Sequence, residues 1–196
     1  MRFWYDTEFL ENGTTIELIS IGIVCENEST YYAVNSEMPD DKAMGHDKWM
    51  CENVVAHLPL GTGLHRHDSG TCPYYWSLDM RSTSVKPKWV IANEVREFLT
   101  GNRNNDGTPV ELWADYAAYD HVVLAQLFGK MIHLPKGIPM WTHDLRQLWE
   151  QEGRPEFPDF GHGEHHALAD AFELRDRWLW LQRQADGPTA DAAGGH

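Results

Sequence analysis

The sequence predicts one α/β domain, with a mixed sheet that begins as an antiparallel three-strand meander and carries helices on its faces. Three observations predict it. Residues 2–35 hold three runs rich in β-branched and aromatic side chains, separated by short polar turns. From Pro87 onward, segments of helical period alternate with short strand-like runs. The chain has 196 residues, 42% of them hydrophobic and nine of them Trp, which suffices for one well-buried core.

In chain order, Arg2–Tyr5 is a short apolar strand, and Asn12-Gly13 supplies the turn into Thr14–Val24 (TTIELISIGIV). Glu26-Asn27-Glu28 forms the next turn, into Ser29–Asn35 (STYYAVN). From Met38 to about Pro87 the chain is scattered with Gly, Pro and His, and its helical period is only patchy. Trp89, Val90, Ala92, Val95, Phe98 and Leu99 recur at helical spacing and predict a helix over Pro87–Leu99. Gly101 to Gly107, rich in Gly and Asn, is a loop. Val110–Ala114 (VELWA) reads as a strand, His121–Met131 as a helix, Pro139–Thr142 as a strand and Leu145–Gln151 as a helix. Gly153 to Gly163, with Pro155 and Pro158, is a loop. Glu164–Gln184 is a long amphipathic helix, with Ala167, Ala171, Leu174, Trp178 and Leu181 along one stripe. The domain is expected over residues 1–185, with a disordered Gly/Ala-rich tail over 186–196.

Composition narrows the function classes. No stretch approaches the roughly 18 apolar residues of a membrane span, and acidic residues interrupt the N-terminal apolar run too early for a signal peptide. Cys25, Cys51 and Cys72 lack CxxC spacing, so reduced thiols and a cytoplasmic location are expected. His65 and His67 flank Arg66, but Cys72 is the only nearby thiol, which argues against a zinc site. A formal charge of −14 argues against broad charge-driven binding to nucleic acid, which relies on Lys and Arg displacing counterions. It leaves room for a grip on a short strand end through bound cations.

The chemistry-bearing residues begin with Asp6-Thr7-Glu8. On an extended strand, residues i and i+2 face the same side, so Asp6 and Glu8 present two carboxylates together. Such a pair is either solvated beyond a strand end or holds a hard divalent ion such as Mg²⁺. Asp120, at or just inside a predicted helix start, reads either as an N-cap or as a third ligand, and Asp115 at a strand end competes with it. Asp170 lies beside the apolar stripe of the last helix, where a carboxylate is costly unless paired or metal-bound. His166 and Asp170 are four apart and share a helix face, so spacing alone favours His166 over His165 as Asp170's partner.

The ordered set D-x-E, then Y-D-x-x-x-L, then H-x-x-x-x-D resembles the DEDDh 3′–5′ exonucleases, a superfamily of the ribonuclease H-like fold that includes ribonuclease T and oligoribonuclease. The motifs occupy Phe3–Glu8, Trp113–Leu124 and His165–Asp170. Within it, Met1–Phe9, Thr15–Gly22, Glu111–Ala114, Ala118–Val122 and Asp144–Glu150 are most similar to the mycobacterial ribonuclease AS group. The resemblance implies that Asp6, Glu8, Asp120 and Asp170 bind two Mg²⁺ ions, with Mn²⁺ as a substitute, and that His165 is the general base. It further implies a homodimer that acts on the 3′ end of single-stranded RNA and releases nucleoside 5′-monophosphates. Thr7, Phe9 and Glu17 are the candidate substrate-binding residues, Phe9 for stacking on the terminal base and Glu17 for the adenine amino group of adenylate-rich ends. Tyr116 stands where many members carry Asn. No residue reports on the 2′-hydroxyl, so a DNA-directed exonuclease is the same-class rival. A catalytically silent nucleic-acid-binding domain is the rival from another class, and the intact acid set argues against it.

Overall fold

The first strand runs well beyond its apolar start. In the computed structural model, which describes residues 1–66, 74–101 and 108–185, β1 spans Arg2–Glu11 and carries Asp6-Thr7-Glu8 within the strand rather than after it. Its neighbours β2 (Ile16–Cys25) and β3 (Thr30–Asn35) complete the expected antiparallel meander. The sheet has six strands in the order β6–β3–β2–β1–β7–β8, where β6 is Val85–Lys86, β7 is Glu111–Ala114 and β8 is His143–Asp144. The β3–β6, β1–β7 and β7–β8 pairs are parallel, which makes the sheet mixed. This is the α/β arrangement anticipated for a ribonuclease H-like protein.

Central strands of such a sheet are buried on both faces. On one face Phe3, Tyr5, Ile21 and Ile23 pack against α3 (Lys88–Gly101) and α4 (Ala118–Gln126). On the other, Trp4 and Trp113 meet Leu145 of α5 (Leu145–Gln151) and Leu174, Trp178 and Leu181 of α6 (Ala167–Ala185). The helical stripe read from the sequence is therefore the buried face of α6.

Several boundaries differ from expectation. Residues 38–87 contain two short helices, α1 (Asp41–Met44) and α2 (Lys48–Asn53), and a two-stranded sheet of β4 (Leu60–Arg66) and β5 (Tyr74–Leu78). Asp40 and Asp47 cap the helices, and Met38, Met44, Met50, Cys51, Val54, Val55 and Trp76 pack on Ile19, Val34 and Val85. Helices this short display little period, so only packing reveals them. α4 starts at Ala118 rather than His121, and the chain leaves it through Gly129 at φ 88. The last short strand is His143–Asp144, not Pro139–Thr142; Thr142 instead bonds by its hydroxyl to Tyr5 at 2.8 Å and to His121 at 3.0 Å. α6 starts at Ala167 rather than Glu164, because His165 sits in the left-handed region at φ 60. The anticipated tail over 186–196 and the loop residues 102–107 lie outside the described residues, as do His67 and Cys72.

Gly22 sets how close α6 comes to the sheet. A Cβ at this position would overlap the backbone of Ala167 and Leu168, so only a glycine admits the start of α6 here. Gly22→Ala is expected to push the helix outward and destabilise the fold by about 3 kcal/mol. In a thermal unfolding measurement that corresponds to a fall of roughly 6–12 °C.

Candidate active site

The alternation of β1 places Asp6 and Glu8 on the face covered by α6, with Asp6 paired to Gly22 and Glu8 to Ser20 in the β1–β2 register. Because α6 begins directly over Gly22, its Asp170 descends onto the same spot. Carboxylate oxygens of Asp6, Glu8 and Asp170 lie within 4.8 Å of one another, the only such group of potential ligands among the described residues. Asp170 is locked in place: its Oδ2 accepts the His166 N–H at 3.0 Å, and its own N–H donates to the His166 carbonyl at 3.0 Å.

Asp120 joins from the other side of β1. The β1–β7 pairing ends at Trp4–Trp113, so the following edge of β1 has no strand beside it. Its backbone donors still require partners. Asp120 Oδ1 supplies one, accepting Thr7 N–H at 2.9 Å and Thr7 Oγ1–H at 2.6 Å, with Asp120 itself only 4% exposed. Asp115 lines the cleft as well but is paired: Arg146 donates to both of its oxygens at 2.7 and 2.9 Å, and Arg177 lies 3.7 Å away. Of the two competing aspartates, Asp120 is the one without an arginine.

The two histidines have different surroundings. His165, at φ 60, lines the cleft beside the three acids, its ring edge-on to Trp49 at 5.0 Å. A non-glycine residue held in this region is uncommon, and such positions cluster at functional sites. His166 is occupied: its Nδ1 accepts Ala169 N–H at 3.4 Å as a helix cap, and its ring stacks on Tyr32 at 4.5 Å. Burial lowers the His166 pKa. Helical spacing favoured His166 only if both histidines were helical, and neither is.

The electrostatics are those of crowded anions. Burial, then Asp170 and Asp120, push the Glu8 carboxyl up to about 7. Burial raises Asp120 to about 7 even against the hydrogen bonds from Thr7. Asp6 is held well above the carboxylate range by burial and then by Asp120, Glu8 and Asp170, and Asp170 is raised by burial. Among the described residues, none of the four forms an ion pair with Lys or Arg. A cluster of oxygen ligands with no protein cation fits divalent metal ions, which would supply the missing positive charge.

Asp6, Glu8 and Asp170 open into a cleft of about 580 Å³ that is also lined by Thr7, Asp115, Tyr116, Phe157, His162 and Arg177, whereas buried Asp120 does not line it. Phe9 and Glu17 do not line it. The Phe9 ring lies on the opposite face of β1, stacked on Tyr119 at 5.9 Å, while Glu17 is exposed opposite Leu10. His65 stacks on Tyr75 at 5.2 Å. Arg177 and Phe157 were not anticipated from the sequence. The signal for Arg177 was available, since it follows Asp170 by seven residues and so repeats its helix face.

This sheet order, with Asp6 and Glu8 on a central strand and Asp170 brought over them by α6, is an α/β arrangement compatible with the exonucleases that the motifs resemble. The chain belongs to the Rv2179c-like family: the model of the 3′–5′ exoribonuclease Rv2179c-like domain matches residues 66–181. Two Mycobacterium tuberculosis proteins, the 3′–5′ exoribonucleases MT2234.1 (strain CDC 1551 / Oshkosh) and Rv2179c (strain ATCC 25618 / H37Rv), are each 40% identical over 187 residues, covering 95% of this chain and 96% of the relative. S. pombe Pop2p, in its Mg²⁺- and Mn²⁺-bound form, is a distant likeness at 10% identity and TM-score 0.46, covering 96% of this chain and 85% of that one.

Carboxyls whose folded pKa lies above the unfolded value bind more protons when folded, so stability falls as pH rises between the two values. With Glu8 and Asp120 raised from 4.5 and 3.8 to about 7, metal-free protein is expected to lose thermal stability from about pH 4.5 to 7.5. Mg²⁺ or Mn²⁺ should restore it, more at pH 7.5 than at pH 5, where protons compete for the carboxylates. Unfolding scans in EDTA and in excess cation check both signs.

Proposed function

We propose that this chain is a Mg²⁺-dependent 3′–5′ exoribonuclease, accepting Mn²⁺, that removes nucleoside 5′-monophosphates from RNA 3′ ends. The observation that carries the proposal is the convergence of the Asp6, Glu8 and Asp170 carboxylates within 4.8 Å, without a protein cation and beside His165. The RNA substrate is proposed from the family and its M. tuberculosis relatives.

In this reading Asp6, Glu8, Asp120 and Asp170 hold two divalent ions, Asp120 through the oxygen that Thr7 leaves free. Ions held there would supply positive charge to the scissile phosphate and acidify a water beside it. His165 accepts the proton of that water through a ring nitrogen, the general-base role that an imidazole most often fills. The water oxygen bonds to phosphorus, the bond from phosphorus to the upstream 3′ oxygen breaks, and that oxygen takes up a proton. His165 stands just before α6 beside the acids, whereas the His166 ring is committed to capping and stacking.

Adenylate preference rests on Glu17. It pairs opposite Leu10, two positions beyond Glu8 on the same face, or about 7 Å along the strand. A terminal adenine lying along this face would donate its amino hydrogens to Glu17. Residues 1–185 are proposed to act as one catalytic unit in the cytoplasm and to pair as a homodimer. Exposed Tyr119, Val122, Met131 and Ile132, on and after α4, offer an apolar surface for pairing.

The test uses 5′-labelled single-stranded RNA and DNA of equal sequence. RNA should shorten from its 3′ end in Mg²⁺ and stay intact in EDTA, and DNA should be cut more slowly. Asp6→Ala should abolish cleavage. His165→Ala should lower kcat by about 10²–10⁴-fold, and His166→Ala by far less. Metal-independent cleavage, shortening from the 5′ end, or an unimpaired Asp6→Ala protein would sink the proposal.

A further inference from the structure

The cleft extends beyond the acids, along a wall that the reaction described above does not use. Arg177 follows Asp170 by two turns on the same face of α6, about 10 Å along the axis. It is the only Lys or Arg among the cleft-lining residues. Its guanidinium is preset, with Nε donating to Glu173 at 3.0 Å, Asp115 at 3.7 Å and the Phe157 ring beneath it at 5.3 Å. Most of its five donors remain free to turn towards a phosphate.

Beside it stands Tyr116, 65% exposed although it is a large aromatic, and held at φ 55. Arg146, fixed by its two bonds to Asp115, packs its guanidinium on the Tyr116 ring at 4.7 Å. One side of the ring is thus braced, and the remainder faces the cleft. An ion-pair network that only tied β7 to α6 would not need an exposed, braced aromatic at its edge. An open π-face next to a preset guanidinium is the pairing that recognises one nucleotide of a single strand.

We propose that Tyr116 and Arg177 seat the nucleotide on the 5′ side of the one removed. Tyr116 stacks on its base, and Arg177 donates to its 5′-phosphate. The position follows from the order of groups along the cleft: the acids take the scissile phosphate, and Arg177, two turns further along α6 and held on Asp115 and Glu173, is placed for the next phosphate. This inference rests on the proposed RNA 3′-end chemistry.

The test compares diadenylate with and without a 5′-phosphate on the full chain, measuring KM and kcat by product chromatography. Wild-type protein should favour the 5′-phosphorylated dinucleotide about tenfold in KM, the effect of one charged hydrogen bond. Arg177→Gln should erase that preference and Arg177→Lys should keep part of it. Tyr116→Asn, whose side chain tolerates the left-handed backbone, should raise KM for both dinucleotides roughly tenfold, while Tyr116→Phe should not. A wild-type protein indifferent to the 5′-phosphate, a preference surviving in Arg177→Gln, or an unchanged KM in Tyr116→Asn would overturn the proposal. Adenosine 5′-(4-nitrophenyl phosphate) has the scissile bond but no upstream nucleotide. Its hydrolysis by wild-type protein in Mg²⁺ or Mn²⁺ would confine any such failure to this wall. If the ester and both dinucleotides are left uncut, the metal-centre reading falls, and this one with it.

Discussion

The contact of backbone on backbone at Gly22 is the constraint on which the site depends. A side chain at that position would hold the start of α6 away from the sheet by the thickness of a methyl group. Without one, the helix settles onto β2 beside the strand that carries Asp6 and Glu8. Its Asp170 carboxylate is then brought within 4.8 Å of both, and the chain bends just before the helix. His165 takes a left-handed conformation at that bend and lines the cleft, while His166 becomes the cap. Helix packing, acid convergence and histidine placement are thus consequences of one close approach.

A second constraint is the uneven distribution of positive charge. The chain carries Lys and Arg, yet spends Arg146 and Arg177 on Asp115 and leaves Asp6, Glu8, Asp120 and Asp170 without any. Relief at Asp120 comes from neutral donors, first the hydroxyl and N–H of Thr7 and then its own backbone N–H, which fix its orientation without cancelling its charge. Buried anions kept unpaired destabilise a fold, so their retention points to a cation supplied from outside. The adjoining wall has the opposite character, with carboxylates matched by guanidinium groups and aromatic rings exposed between them. The proposed metal-binding and strand-binding ends of the cleft rest on that division.

Much of this was legible in the sequence where the signal is local. Leu145–Gln151 was read to the residue because Asp144 caps it and its apolar positions have a clear period. The meander strands were found within two residues or so, except that β1 continued through its acids, whose polarity disguised a strand buried by its neighbours. Residues 38–87 were not legible, because helices of four and six residues and a Gly-containing hairpin take their form from packing on Ile19, Val34 and Val85. Phe9 looked available for stacking on a base, but strand alternation turns its ring to the face opposite Asp6 and Glu8. Tyr116 was visible only as a departure from its family; its exposure and its brace on Arg146 belong to the folded chain.

By itself the sequence determined the mixed α/β class and singled out the acids as candidates, because both are written in local period and in the order of short motifs. Only the tertiary structure decided which groups meet. Asp120 rather than Asp115 is left without an arginine and is bonded to Thr7, because the β1–β7 ladder stops at Trp4 and leaves Thr7 to be satisfied by a side chain. His165 rather than His166 lines the cleft because α6 cannot begin before Ala167 while its first turn rests on Gly22. Both choices turn on where backbone hydrogen bonding ends and how closely two backbones approach, and neither quantity is carried by residue spacing.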